Sequence, residues 1–150
     1  MKFYYFLDMY EILPYSAKKE SRWDHFVMEE SVNGTFLQTR KFLNYHPEGR
    51  FVDASFFVEK SGIVVATVPG CNIDGKFVSH QGSTFGGPII SKDFYSGAKI
   101  LEIIEAIDLY IAGNFKETRL KPTAALFATT PTALLDYALE HKGYCRHTEL

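Results

Sequence analysis

The sequence predicts an α+β domain, an α/β sandwich in which a mostly antiparallel sheet is flanked by helices. Three observations carry this. Apolar, β-favouring runs crowd residues 54–80 and are punctuated by Ser61-Gly62 and Asp74-Gly75. An isoleucine stripe with helical spacing follows them. A short apolar run and an amphipathic segment with both helix-end signals then close the chain. The 150 residues fit one domain with room for a core that needs no disulfide staples.

Taken in order, KFYYFLD (2–8) is rich in aromatic residues and reads as a first strand. EILPYSAKKES, with Pro14 inside it, reads as a connection. Residues 21–31 set Trp23, Phe26 and Val27 at helical spacing, with Ser21 as N-cap. After Asn33-Gly34, residues 35–45 form a second short helix ending before His46-Pro47. SFFVEK, IVVATVPGC and KFVSH are read as a three-stranded antiparallel meander over 54–80.

A Gly-rich loop leads to the strongest helix, over 93–112. Ile100, Ile103, Ile104, Ile107 and Ile111 share one face, and Gly113-Asn114 ends it. β-Branched residues lower helix propensity, so this stripe is expected to pack flat on the sheet. Residues 118–128 read as a strand whose buried part is Ala124–Phe127, with Pro122 marking an edge or bulge. The last helix takes Thr130 as N-cap, Pro131 as first residue and Gly143 as terminator. Its apolar face is Leu134, Leu135, Ala138 and Leu139.

Composition excludes several function classes. With 46% hydrophobic and 23% charged residues the chain is globular rather than disordered. The formal net charge is −2, and Lys18, Lys19 and Arg22 are offset by Glu20 and Asp24. No clustered positive field is present to meet a phosphate backbone, which argues against DNA. Cys71 and Cys145 match no zinc spacing, and the five histidines show no metal spacing. MKFYYFLDMY lacks the form of a signal peptide, and no apolar stretch reaches the about 18 residues of a membrane span. A cytoplasmic location is the expectation.

The segment with most chemistry is His80, Gln81, Gly82, Ser83, Thr84, Phe85, Gly86 and Gly87. Its glycines allow close backbone approach to a ligand, its hydroxyls offer hydrogen bonds, and His80 titrates. A tight structural loop explains the same residues. Asp53 and His46, near the start of the meander, are further candidates for acid–base work. A turn-capping role explains His46, before Pro47, more simply, and a strand-entry role does the same for Asp53.

TFLQTRKFLNYHP, SHQGSTFGG and LLDYALEHKGYCRHTEL carry a resemblance to the N-terminal half of FemAB-like proteins of the GNAT acyltransferase superfamily. The order strand, helix, helix, meander, long helix, strand, helix agrees with it, the usual closing strands being absent. The resemblance implies a GNAT-like domain over residues 1–150, the first half of a two-domain architecture. It also implies acyl or aminoacyl transfer to an amine or hydroxyl of a cell-wall or surface-polysaccharide precursor. Acetyl-CoA or another acyl donor would serve the complete enzyme, and no cofactor is fixed by this stretch.

Under that reading His80, with Asp53, is the candidate base, and residues 81–87 are the candidate ligand loop. One departure stands out: Thr84 occupies a position where a CoA-phosphate loop has glycine. The implied partners are a small-molecule, sugar or peptide acceptor, and a second GNAT-like half or a second copy. A noncatalytic binding or assembly module is the competing reading.

Overall fold

The computed structural model of the chain describes residues 3–5 and 9–148. Its strands are β1 (Phe3–Tyr5), β2 (Tyr10–Pro14), β3 (Phe56–Lys60), β4 (Ile63–Val68), β5 (Gly70–Ile73), β6 (Lys76–Ser79), β7 (Ile89–Ile90) and β8 (Glu117–Arg119). Its α-helices are α1 (Glu20–His25), α2 (Arg40–Leu43), α3 (Gly97–Asn114) and α4 (Ala133–Lys142). One sheet runs β1-β2-β3-β4-β7, every pair antiparallel. A second runs β5-β6-β8, with β5 and β6 antiparallel and β6 parallel to β8. The architecture is α+β.

Side-chain alternation along the strands builds the layers. Phe56, Val58, Val65 and Ile90 join the larger core, together with Ile100, Ile103, Ile104, Ile107 and Ile111 of α3 and Leu135, Ala138 and Leu139 of α4. Phe57, Val64 and Ile89 join Trp23, Phe26 and Val27 in a second cluster. The larger sheet therefore has α3 and α4 against one face and α1 against the other. The isoleucine stripe is buried throughout, at 0–1% exposure, as the flat packing of β-branched residues on a sheet demands.

The two expected turns are present. Ser61-Gly62 and Asp74-Gly75 both take positive φ, as a two-residue type I′ hairpin requires. The stretch 54–80 is nevertheless two hairpins rather than one meander. Pro69, which has no N–H to give a ladder, separates β4 from β5, and the chain passes there into the second sheet. Gly70 is needed at the crossing, because a Cβ there would lie 2.1 Å from the Phe77 ring.

Other elements differ from expectation for local reasons. Residues 10–14 form β2, since Pro14 sits at the strand's last position, opposite Phe56, and does not interrupt it. Within the first predicted strand, residues 2 and 6–8 lie outside the described residues. The 21–31 helix begins at Glu20, after a 3-10 turn, so Ser21 lies inside it rather than capping it; it ends in a π-helical turn over Phe26–Glu30. The 35–45 helix is split at Thr39, whose extended backbone ends one 3-10 turn and whose side chain caps α2.

The long helix starts four residues later than predicted, because Lys92–Phe94 form a separate 3-10 turn. It continues through Asn114, so Gly113 does not terminate it. Residues 120–128 are not a strand. β8 stops at Arg119, and Leu126, at 86% exposure, and Phe127 face outward. α4 begins at Ala133, where the Tyr95 hydroxyl accepts the Leu135 N–H (3.3 Å) and donates to the Pro131 carbonyl (2.8 Å), work expected of Thr130. Gly143 closes α4 in the left-handed conformation, as expected. Among the described residues no helix is long and apolar enough to cross a membrane.

Candidate functional site

Arg40 is the centre of the candidate site. Thr39 caps α2 by accepting the Phe42 N–H (3.3 Å), and this turns Arg40 inward, where it is 2% exposed. A buried guanidinium needs a counter-charge and hydrogen-bond acceptors. Asp53 supplies the charge through Nη2, Asn44 Oδ1 accepts from the same nitrogen (3.0 Å), and Ser55 Oγ accepts from Nη1 (3.1 Å). The guanidinium carbon lies 3.8 Å from the centre of the Tyr15 ring and 5.5 Å from that of Trp23, both within cation–π range.

Asp53 is held from behind. Its Oδ1 accepts the Ser55 N–H (2.9 Å), and its backbone forms an isolated antiparallel bridge with Cys71. Flanking bonds from Ala54 N to Gly70 O and from Asn72 N to Val52 O, each 2.8 Å, zip this stretch to β5.

His80 follows β6 and is 3% exposed. Burial depresses its pKa to about 4; the Asp53 carboxylate opposes this, while Arg40 and His46 push the same way as burial. At neutral pH the ring is uncharged. Its Nδ1 accepts the Gly82 N–H (3.1 Å), so the proton sits on Nε2. His46 Nε2 lies 3.1 Å from the Gly82 carbonyl, which can only accept, so that nitrogen too carries a proton, and His46 Nδ1 stands outside this bond. The Phe51 ring stands edge-on to both imidazoles, 5.2 Å from His46 and 5.3 Å from His80.

Arg40, Asn44, His46, Phe51, Asp53 and His80 share a cavity of about 260 Å³. It offers a neutral imidazole N–H at His80, a second imidazole at His46 and an ion-paired carboxylate. Among the described residues no cluster of His, Cys, Asp and Glu could hold a metal ion. Burial raises the Cys71 thiol pKa, so Cys71 is a packing residue beside the site rather than a nucleophile.

Three residues singled out in the sequence, His46, Asp53 and His80, thus come together. The loop residues do not follow them as a group. Thr84 lines a different and larger cleft, about 990 Å³, along β8 and the segment after α4. Phe85 packs on Phe127 (5.5 Å), and Gln81 is exposed. Ser83 Oγ accepts the Phe85 N–H (3.3 Å), an internal turn bond.

Gly86 and Gly87 are packed against their own chain: a Cβ on Gly86 would lie 2.4 Å from Ser79 Oγ, and one on Gly87 3.0 Å from Pro69 Cδ. The space a ligand was expected to fill there is occupied by protein. The loop also leads into β7 and a 3-10 turn instead of opening α3, so no helix N-terminus meets it directly in sequence. Arg40, Asn44 and Phe51 are the site residues that sequence reading missed.

No protein-family model, curated protein or solved structure matches the chain.

Proposed function

We propose that this chain is the acceptor-binding half of a GNAT-like, FemAB-like acyltransferase, and that the acceptor's amine or hydroxyl enters the His46–Asp53–His80 cavity. The observation that carries the reading is the pairing of functional nitrogens around Gly82. His46 spends Nε2 on Gly82 and leaves Nδ1 outside that bond, while His80 spends Nδ1 and keeps a proton on Nε2, in one cavity. Acyl transfer needs a group to take the nucleophile's proton and a donor for the developing oxyanion. The described hydrogen bonds suit His46 to the first role. His80, whose Nδ1 is occupied, suits the second better than the base role expected of it.

Assignment to the acceptor side rests on the loop. Its glycines are filled by Ser79 and Pro69, which leaves no phosphate cradle at Gly86 and Gly87.

The test is calorimetry of the full chain with amino sugars, lysine-ending peptides and acetyl-CoA. An acceptor should bind, and His46→Gln and His80→Phe should each weaken it at least about tenfold, near 1.4 kcal/mol. Acetyl-CoA binding below about 10 μM, with thiol release when an amine is added, would instead make the chain a self-sufficient enzyme.

A further inference from the structure

The outer wall of the His46–His80 cavity is one short stretch of chain. Asn44, His46, Glu48 and Phe51 line the cavity from it, while Tyr45, Pro47, Glu48, Gly49 and Arg50 are exposed to solvent. Residues 45–51 join no strand, and their internal backbone bonding includes a turn bond from Arg50 N to Pro47 O (3.2 Å). The stretch is anchored firmly at its ends, by α2 on one side and by the Asn72 N–H to Val52 carbonyl bond (2.8 Å) on the other. Between those anchors two side chains tie it to the body: His46 on the Gly82 carbonyl, and Phe51 edge-on to His46 and His80.

The inner groups are closed off. Arg40 is 2% exposed and His80 3%, although both line the cavity. A ligand atom gains full access to His80 when the wall moves. One hydrogen bond and edge-on ring contacts are weak restraints beside a sheet ladder, so this stretch opens at far lower cost than β3 and β4.

We propose that residues 45–51 are a lid over the Arg40 and His80 side of the cavity, latched by His46 on Gly82 and by Phe51 against the two imidazoles. The lid stands on geometry alone and holds whichever reaction the site serves. Its failure and the failure of the acyl-transfer reading are therefore separate results.

The experiment measures how fast diethyl pyrocarbonate modifies His80 in the ligand-free full chain at neutral pH, by mass spectrometry of its peptide. The His46 ring reaches within 2.6 Å of a Cβ built at position 82, so His46→Cys with Gly82→Cys, in a Cys145→Ser background, sets two thiols facing across the latch, and closure of the disulfide is read from the mass of the linked peptide. The oxidised form should modify His80 about tenfold more slowly than its own reduced form. Phe51→Ala in the otherwise unchanged chain should modify His80 about tenfold faster than the parent, while amide exchange in β3 and β4 keeps the parent rate. Equal rates in the oxidised and reduced forms, or a parental rate in Phe51→Ala, would overturn the lid.

Discussion

His46 and His80 carry their protons on the same ring nitrogen but engage opposite ends, because one residue stands between them. Gly82 donates its N–H to His80 Nδ1 and accepts at its carbonyl from His46 Nε2, both at 3.1 Å. His80 is left with Nε2–H to give, and His46 with Nδ1 outside the Gly82 contact. Gly82 also has no room for a side chain, since an added Cβ would meet His46 Cδ2 at 2.6 Å and His80 Nδ1 at 3.1 Å. Long-range ¹⁵N imidazole spectra at neutral pH should show His80 as the Nε2–H tautomer. Gly82→Ala should alter the His46 and His80 signals and leave those of the exposed His25, His141 and His147 unchanged. An Nδ1–H tautomer at His80 would remove the donor assignment.

Arg40 should dominate the stability of this corner. The Asp53 side chain is 33% exposed and stays solvated when Arg40 is removed, so the loss falls on the buried Ser55 and Asn44 contacts of the guanidinium. Arg40→Ala should lower the unfolding free energy in urea by about 1–3 kcal/mol. Arg40→Lys should recover less than half of it, since an ammonium cannot reach Ser55, Asn44 and Asp53 together or stack on Tyr15 as a plane. In an Asp53→Asn background the Arg40→Ala cost should change by more than about 1 kcal/mol, the mark of direct coupling. An additive double mutant would show that the pair contributes nothing beyond packing.

Acid should find His80 before it finds the carboxylates. Its folded pKa of about 4 lies below the ordinary 6.5, so the unfolded chain binds the extra proton first. Stability from this group is complete above about pH 6.5, falls as pH drops toward 4, and changes no further below that. The full linkage amounts to about 3 kcal/mol. His80→Phe should flatten the stability profile between about pH 6.5 and 4 relative to the parent. If parent and variant profiles run parallel through that window, the burial argument fails.

Local chemistry made half of this molecule legible. Ser61-Gly62 and Asp74-Gly75 announce hairpins because few residues tolerate positive φ, and the Ile100–Ile111 stripe announces its face because helical spacing is a local property. The change of sheet at Pro69 was not legible, since it depends on pairing with β7 and β8 from distant parts of the chain. Ala124–Phe127 look like core by composition. They lie outside because the preceding segment is fastened by side chains, Thr123 Oγ1 donating to the Asn33 carbonyl (2.6 Å). At the site, His46, Asp53 and His80 stood out as titratable residues near predicted turns. Arg40 did not, because nothing local distinguishes it from the exposed Lys41 beside it.

The loop of residues 79–88 divides into a working part and a scaffold, and substitutions should separate them. Gln38 is fully buried, and its side-chain amide donates to the Gly86 carbonyl (2.6 Å) and to Thr123 Oγ1 (2.7 Å). Gly86 N–H in turn reaches the Lys121 carbonyl, and Ser79 Oγ takes the Lys121 N–H, both at 2.7 Å. Three distant segments are stitched together here, and the stitch leaves no space: a Cβ on Gly86 would sit 2.4 Å from Ser79 Oγ and 3.3 Å from its Cα. Gly86→Val must therefore push β6 away from residue 121 and break bonds that satisfy a buried amide. Overpacking of this kind costs about 1–3 kcal/mol, and each buried group left unpaired adds about as much again. Thr84→Ala, on an exposed residue of the same loop, should stay within about 0.5 kcal/mol of the parent. Urea unfolding of both variants decides the matter. If Gly86→Val is as stable as Thr84→Ala, the glycine is free to meet a ligand, and the scaffold role assigned to it is wrong.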